Sequence, residues 1–186
     1  LQKAVNINPE WVSSHVNMAG TLQKTGQTDR AIQHYEKALN LDSKSDKTLV
    51  LASEKEEILL HLGKLYIQQE KFSKAIDYFK KAIRLNPANK TAAFHLAVAH
   101  ALQKDYEAAI RVFKQMLDYH PQEISIYYNI ACMYSLENDP SESADWLKKA
   151  LEKGYDNWEN IKNDQDLKNL RESTYYRELI KSENLK

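Results

Sequence analysis

Small and large apolar residues recur along the chain at spacings that place them on one face of a helix. In three segments, which begin at Ala31, Ala75 and Ala109, a small residue is followed four positions later by an aromatic residue. Upstream of each segment, and of a fourth that begins at Ser143, apolar residues follow the spacing i, i+1, i+4, which also marks one helix face. The pattern predicts paired helices, an A helix followed by a B helix.

The pairs recur with a fixed period. The shift from Ala75 to Ala109 is 34 residues, and Ser143 follows 34 residues later. Ala31 lies 44 residues before Ala75, which is one period plus an insertion of ten residues, 46–55. The insertion contains neither Gly nor Pro. It is interpreted either as an N-terminal extension of the following A helix or as a longer connection, and both interpretations stay open.

The B segments carry small, then aromatic, then small or flexible residues, and Pro87 and Pro121 follow two of them. These residues resemble the tetratricopeptide repeat (TPR) family, whose 34-residue helix–turn–helix units have such landmarks. The resemblance covers residues 1–153. It implies an all-α fold, a right-handed TPR solenoid in which the A helices line the concave side.

The repeat register divides the chain. Residues 1–10 match the tail of a B segment and are interpreted as the end of a preceding, truncated repeat. Four repeats fill 11–155, and residues 156–186 follow with three short apolar patches. A stacked array needs a cover over its last apolar face, so we expect capping helices there. The repeats run over 12–45, 56–89, 90–123 and 124–155.

The resemblance also predicts which side chains face the groove. One column of the A helices carries planar polar residues, Asn or His in every repeat, and the neighbouring column is apolar throughout. Asn and His can hydrogen-bond a peptide while apolar neighbours pack against its side chains. The predicted peptide-binding residues are Val16, Asn17, Leu60, His61, Lys64, Phe94, His95, Val98, Leu102, Tyr128, Asn129 and Leu136. The alternative is that Phe94, Leu102 and Tyr128 pack against neighbouring repeats or the C-terminal cap.

The sequence gives little support for binding of a metal, a cofactor, a chaperone tail or a nucleic acid. His61, His95 and Cys132 lack the close-spaced ligand pair of a zinc site, so no metal and no cofactor is expected. The chain also lacks the cationic set with which some TPR domains bind a chaperone's carboxylate tail. With 26 Lys+Arg against 26 Asp+Glu, a nucleic-acid partner is not expected. One basic cluster lies mostly on the B helix of repeat two and is interpreted as a solvated face, with a secondary patch for an acidic partner or RNA as the alternative. Its residues are Lys71, Lys74, Lys80, Lys81, Arg84 and Lys90.

Composition adds three points. Only 4 of 186 residues are glycine, where average usage predicts about 13, so long helices are expected. No apolar run is long enough to span a bilayer. The single cysteine excludes a disulfide framework within the chain and is compatible with the cytosol or an oxidising compartment. A soluble protein is expected, and the cytoplasm is the favoured location.

The function expected from the sequence is a non-catalytic protein-interaction scaffold that binds a peptide or partner segment in its groove. One alternative is self-assembly through the N-terminal edge, which carries Ala4, Val5 and Ile7. Another is that the chain is the regulatory arm of a larger enzyme, because it starts within a helical pattern and without Met, as a fragment of a longer protein would.

Overall fold

The computed structural model describes residues 12–44 and 52–182, apart from the side chains of 42–44. The described residues form helices and no strand, which confirms the all-α prediction. The helices are α1 Val12–Lys24, α2 Thr28–Lys44, α3 Ala52–Gln68, α4 Phe72–Leu85, α5 Lys90–Leu102, α6 Tyr106–Tyr119, α7 Ile124–Leu136, α8 Pro140–Glu152, α9 Trp158–Asn163, α10 Lys168–Arg171 and α11 Thr174–Ser182, with a 3-10 turn at Gln165–Leu167.

The chain divides into two compact units, Leu1–His95 and Leu96–Lys186. In the first unit α1 packs against α2 and α3 against α4, and α2 also contacts α3. In the second unit α7 packs against α8 and α6. Helix α3 begins at Ala52, so the last four residues of the insertion 46–55 are helical. The rest of the insertion, and the half repeat predicted at 1–10, lie outside the described residues.

The columns that define the repeat form the core. The small residues Ala31, Ala75, Ala109 and Ser143 are fully buried, and so are the large residues four positions later, Tyr35, Phe79, Phe113 and Leu147. Ser143, which replaces Ala in the fourth repeat, donates its hydroxyl to the carbonyl of Ala131 at 2.7 Å. The buried hydroxyl therefore has a partner, and the substitution leaves no unsatisfied polar group.

The four A-to-B turns share one backbone geometry. Gly26, Glu70, Lys104 and Asn138 all have positive φ, between 57° and 74°. After each of them, the next amide donates to a carbonyl five residues back, as Gln27 does to Leu22 at 2.9 Å. This is the Schellman closure of a helix end, in which glycine is preferred because it has no Cβ. Three repeats therefore use a strained non-glycine residue at the same turn position.

Proline and cap residues mark several helix ends. Helices α4 and α6 end before Pro87 and Pro121, and Asp139 caps α8 by accepting from the amide of Glu142 at 3.1 Å. The reciprocal contact of a capping box, from the Asp139 amide to the Glu142 carboxylate, is not made. The Asp139 amide instead donates to Tyr134, and the Glu142 carboxylate accepts from the indole of Trp146.

The C-terminal segment forms the expected helical cap. Its 3-10 turn and α10 contact α7, and α10 and α11 contact α8. Ile161, Leu167 and Leu170 are fully buried and Leu179 nearly so. The backbone amide of Leu170 donates to Ser135 of α7, and Asn169 donates to the Ser135 carbonyl. The three apolar patches seen in the sequence therefore cover the end of the second unit.

Candidate functional site

In the first unit, the two predicted histidines lie on A helices and pack against aromatic rings of B helices. His61 on α3 stacks on Tyr35 of α2, with ring centroids 5.3 Å apart and planes within 8°. His95 on α5 stacks on Phe79 of α4 at 5.6 Å and 19°. Because Tyr35 and Phe79 are core residues, they fix the orientation of both imidazoles.

Both imidazoles are kept neutral. Burial lowers the pKa of His61; Glu57 opposes this shift, and Lys64 adds to it. Burial and the Lys64 charge lower the pKa of His95. Among the described residues His61 Nδ1 is buried without a hydrogen-bond partner, whereas Nε2 lies 3.8 Å from Glu57 Oε1. Protonation would bury an unpaired N–H, so the structure favours the neutral ring with its proton on Nε2.

Phe94 and Lys64 complete a small surface with these two rings. Phe94 meets His95 edge to face at 5.8 Å and 73°, and its side chain is 37% exposed. Lys64 is half-buried, and its charge acts on both histidines. We call His61, Lys64, Phe94 and His95 the His61–His95 surface. It combines an exposed apolar ring, two neutral imidazoles and one cation.

The other predicted residues of the first unit are Leu60, Val16 and Asn17, and they range from half-buried to exposed. Leu60 is half-buried because it packs against the cluster of Leu59, Ala82 and Ala92. Val16 is half-buried and Asn17 is exposed on α1. Among the described residues, no hydrogen bond or ring contact joins either of them to the His61–His95 surface.

In the second unit, the predicted residues differ in their exposure to solvent. Val98 and Leu136 are half-buried, and Leu102 is 46% exposed. The side-chain amide of Asn129 donates to the Ser125 carbonyl of its own helix, at 2.7 Å. Tyr128 is only 7% exposed, so its prediction as an open groove residue is wrong, and the alternative of packing against the cap holds.

The C-terminal segment covers Tyr128. The ring stacks on Tyr155 at 4.4 Å, and the hydroxyl donates to Asp164 Oδ2 at 2.7 Å while it accepts from Asn160 at 2.8 Å. Burial raises the pKa of the Tyr128 hydroxyl, which stays protonated and able to donate. No local sequence pattern predicted this network, because the partners of Tyr128 lie 27 to 36 residues after it in sequence.

The residues considered for catalysis or metal binding do not form such a site. Cys132 is buried, and burial together with Asp164 raises the pKa of its thiol well above the ordinary value, so the thiolate nucleophile is disfavoured. Within the ranges 12–44 and 52–182, no three His, Cys, Asp or Glu side chains are placed to hold a metal ion.

Sequence reasoning missed two aromatic clusters. His15 and His34 face each other with Nδ1 atoms 2.9 Å apart. Tyr66 and Tyr78 stack at 5.4 Å, and both hydroxyls donate to Glu36 of the preceding repeat. Their spacing across helices gives no periodic signal in the sequence.

The architecture defines the chain as a helical repeat protein of antiparallel helix pairs. Three family models described as tetratricopeptide repeat match residues 12–88, 60–124 and 124–152, and together they span residues 12–152. The chain belongs to the tetratricopeptide repeat family. No helix in the described part has the length and apolar character needed to cross a membrane.

Solved structures share this fold. The chain is similar to MamA, with 24% identity, a TM-score of 0.69, and coverage of 82% of this chain and 83% of that one. MamA from Desulfovibrio magneticus RS-1 is 15% identical, with a TM-score of 0.63 and coverage of 93% and 95%. YrrB, described as a TPR protein with an unusual peptide-binding site, is 20% identical, with a TM-score of 0.51 and coverage of 84% and 93%. At these identities the likeness shows the fold alone. No protein with a curated description matches the chain significantly.

Proposed function

We propose that the chain is a non-catalytic protein-interaction scaffold and that its first unit binds a peptide or partner segment at the His61–His95 surface. The observation that carries this proposal is the exposed Phe94 ring beside two imidazoles whose orientation is fixed by core aromatics. The family's fold supports the general role, and the surface supports the particular location.

The stacked imidazoles favour binding because they are already ordered. A side chain that is fixed before binding loses little conformational entropy when a ligand arrives. Stacking on Tyr35 and Phe79 supplies that order for His61 and His95. A neutral imidazole has one donor and one acceptor nitrogen. Because Nδ1 of His61 is buried, this ring can offer a peptide backbone only its Nε2–H donor.

Phe94 supplies the apolar contact. Burying a large apolar side chain contributes about 1.5–3 kcal/mol, and each hydrogen bond about 0.5–1.5 kcal/mol net. After the cost of association, a few such contacts give binding of about micromolar strength. The expected ligand is a segment with one exposed apolar side chain flanked by free backbone amides.

The second unit offers fewer free groups. Tyr128 and the Asn129 amide are engaged within the chain, and Leu102 is the exposed apolar residue among the predicted set there. We therefore place the main contact of the proposed function in the first unit. Val16, Asn17, Val98 and Leu136 remain predicted contributors.

The test is to select binding peptides from a random display library and to measure their affinity for variants. Phe94→Ala removes the apolar ring from an exposed position and is expected to weaken binding by about 1–2 kcal/mol, or about 5- to 30-fold. Titration calorimetry measures the dissociation constant of each selected peptide.

Tyr119→Ala is the matched control, because Tyr119 is also an aromatic residue on a helix and is 54% exposed. The control should leave affinity unchanged. If Phe94→Ala binds every selected peptide as tightly as the unaltered chain, or if Tyr119→Ala weakens binding as much, the proposed location is wrong.

A further inference from the structure

The exposed face of α4 carries an unusual concentration of positive charge. All five charged residues of α4 are exposed and fall within about one third of the helix circumference, at 3.6 residues per turn: Lys74, Asp77, Lys80, Lys81 and Arg84. Four of the five are cations, and the strip extends for about 15 Å along the helix. We call these residues the α4 strip.

The cations of the α4 strip are not neutralised within the described part of the chain. None of the four lies within ion-pair distance of a described carboxylate. Lys74 lies over the ring of Tyr66 at 5.2 Å and Lys81 over the ring of Tyr78 at 4.9 Å. These rings hold two of the cations in place at the surface and leave their charge uncompensated.

The strip is not a general property of the repeat. The register Ala31, Ala75, Ala109, Ser143 identifies the same five positions in each B helix. In α2 and in α6 these positions carry two cations and one carboxylate, and in α8 they carry two lysines and three carboxylates. Only in α4 do the positions add to a net charge of +3.

The net charge of zero over the whole chain hides a difference in charge between its two units. Residues 1–95 contain 14 Lys+Arg and 10 Asp+Glu, whereas residues 96–186 contain 12 and 16. The first unit therefore has a net positive charge, and the α4 strip accounts for most of the excess.

We propose that the α4 strip is a second interaction surface, which binds an acidic segment of a partner protein. The complementary ligand carries several carboxylates over about 15 Å, which is one face of three helical turns or a short extended stretch. Arg84 can bind a carboxylate through two parallel N–H donors, and the lysines add point charges. This surface is distinct from the His61–His95 surface, and neither proposal depends on the other.

The chemistry around the strip favours a protein over a nucleic acid or a membrane. Sites for single-stranded nucleic acid combine basic residues with rings free to stack on bases. Here the two nearest rings, Tyr66 and Tyr78, stack on each other and lie beneath lysines. A membrane-binding helix inserts an apolar face, but the apolar face of α4, with Ile76 and Phe79, is buried in the first unit.

The test uses a labelled polyglutamate peptide of about ten residues, which is long enough to span the strip, and measures binding by fluorescence anisotropy. Binding is expected in about 0.01 M salt and is expected to be lost in about 1 M salt, where charges are screened beyond about 3 Å. The variant Lys80→Glu, Arg84→Glu should bind about tenfold more weakly. Both residues are exposed and make no hydrogen bond, ion pair or ring contact with the described residues, so the fold should be unaffected.

The matched control is Lys148→Glu, Lys162→Glu, which makes the same change in net charge. Lys148 occupies in α8 the position that Lys80 occupies in α4, and both control lysines are exposed. The control should retain affinity within about twofold. Circular dichroism checks folding, and Lys80→Gln, Arg84→Gln replaces the charge-reversed variant if that one unfolds.

Several results would overturn the proposal. They are no binding of polyglutamate at low salt, equal weakening by the control variant, or binding of anionic vesicles or single-stranded RNA where polyglutamate does not bind. If sedimentation shows that the unaltered chain forms oligomers and that the variant Lys80→Glu, Arg84→Glu is monomeric, the α4 strip binds a second copy of the chain instead, and the proposal is wrong. Phe94→Ala should leave polyglutamate binding unchanged, so failure here is separable from failure of the proposed peptide site.

Discussion

Gly63 shows how a single residue sets the distance between two helices. A Cβ placed on Gly63 of α3 would lie 2.4 Å from the ring of Phe79 on α4, which is far inside contact distance. Phe79 is fully buried and also stacks on His95. The ring therefore cannot move aside without disturbing the His61–His95 surface.

The first prediction compares two glycines on A helices. Gly63→Ala should lower the free energy of unfolding by about 1–2 kcal/mol, because overpacking outweighs the better helix propensity of alanine. Gly20→Ala should raise it by about 0.5–1 kcal/mol, since its Cβ would meet only the Tyr35 hydroxyl at 3.8 Å. Urea unfolding measures both, and a stabilising Gly63→Ala would contradict the packing account.

The lowered pKa values of the histidines predict how the free energy of unfolding depends on pH. Folding lowers the pKa of His61 and His95 below the ordinary value of 6.5, so the unfolded chain binds more protons between the two values. Their contribution is fully present above about pH 6.5 and is lost as the pH falls through the lowered folded values. His34, whose pKa burial and His15 also lower, acts in the same direction.

Unfolding at about pH 7.5 and about pH 5.5 tests this sign. The unaltered chain should be less stable at the lower pH, and the variant His61→Gln, His95→Gln should lose less stability between the two. The two proteins are compared by the difference in unfolding free energy between the two pH values. A loss of stacking energy that is the same at both pH values does not affect this difference. An equal pH dependence in the variant would show that these two rings do not contribute.

Sequence alone identified the residue types at these positions but not their surroundings. The column of Asn and His was visible because it repeats on one helix face. That His61 and His95 each stack on a B-helix ring could not be read from the column, because the stacking depends on the distance between helices. The same limit applies to Tyr128, whose position in an apolar column fitted both an open groove and a buried contact.

At the scale of elements, the contact between α7 and the C-terminal segment is the most specific. Tyr128 of α7 joins Asn160 and Asp164 through its hydroxyl, and Asp164 also caps the 3-10 turn by accepting from the Asp166 amide. A buried hydroxyl that both donates and accepts positions the two elements more strictly than apolar packing does.

Removing that hydroxyl should loosen the cap. Tyr128→Phe leaves Asp164 and Asn160 each without one partner and is expected to cost about 1–3 kcal/mol of unfolding free energy. Tyr127→Phe is the control, because the Tyr127 hydroxyl donates at an exposed position to the carbonyl of Pro121, and it should change stability by less than about 0.5 kcal/mol. Hydrogen exchange of α9 and α10 should accelerate only in Tyr128→Phe, and unchanged exchange would contradict the network's role.

Some element boundaries coincide with a local sequence signal, such as Pro87 after α4 and the cap residue Asp139 before α8. Other boundaries have no such signal, because a non-glycine residue adopts positive φ at the turn. Glu70 and Lys104 adopt the left-handed turn conformation usual for glycine. Their residue types alone do not predict this conformation. The period of 34 located these turns, because a long-range register supplies information that local propensity lacks.

At the scale of the whole molecule, the repeat determined the fold and left the partner undetermined. A period repeated four times specifies which faces are buried, because stacked helix pairs bury the same positions each time. A binding surface uses the positions left over, which vary from repeat to repeat. The neutral composition concealed this variation, since the α4 strip and the acidic second unit cancel in the sum.

The central claim is that the first unit binds a peptide at the His61–His95 surface, and chemical-shift mapping by NMR tests it most directly. Titration of the labelled chain with a display-selected peptide should perturb most strongly the amides around His61 and Lys64 on α3 and around Phe94 and His95 on α5. Perturbations confined to other helices, with these amides unmoved at saturation, would contradict the claim.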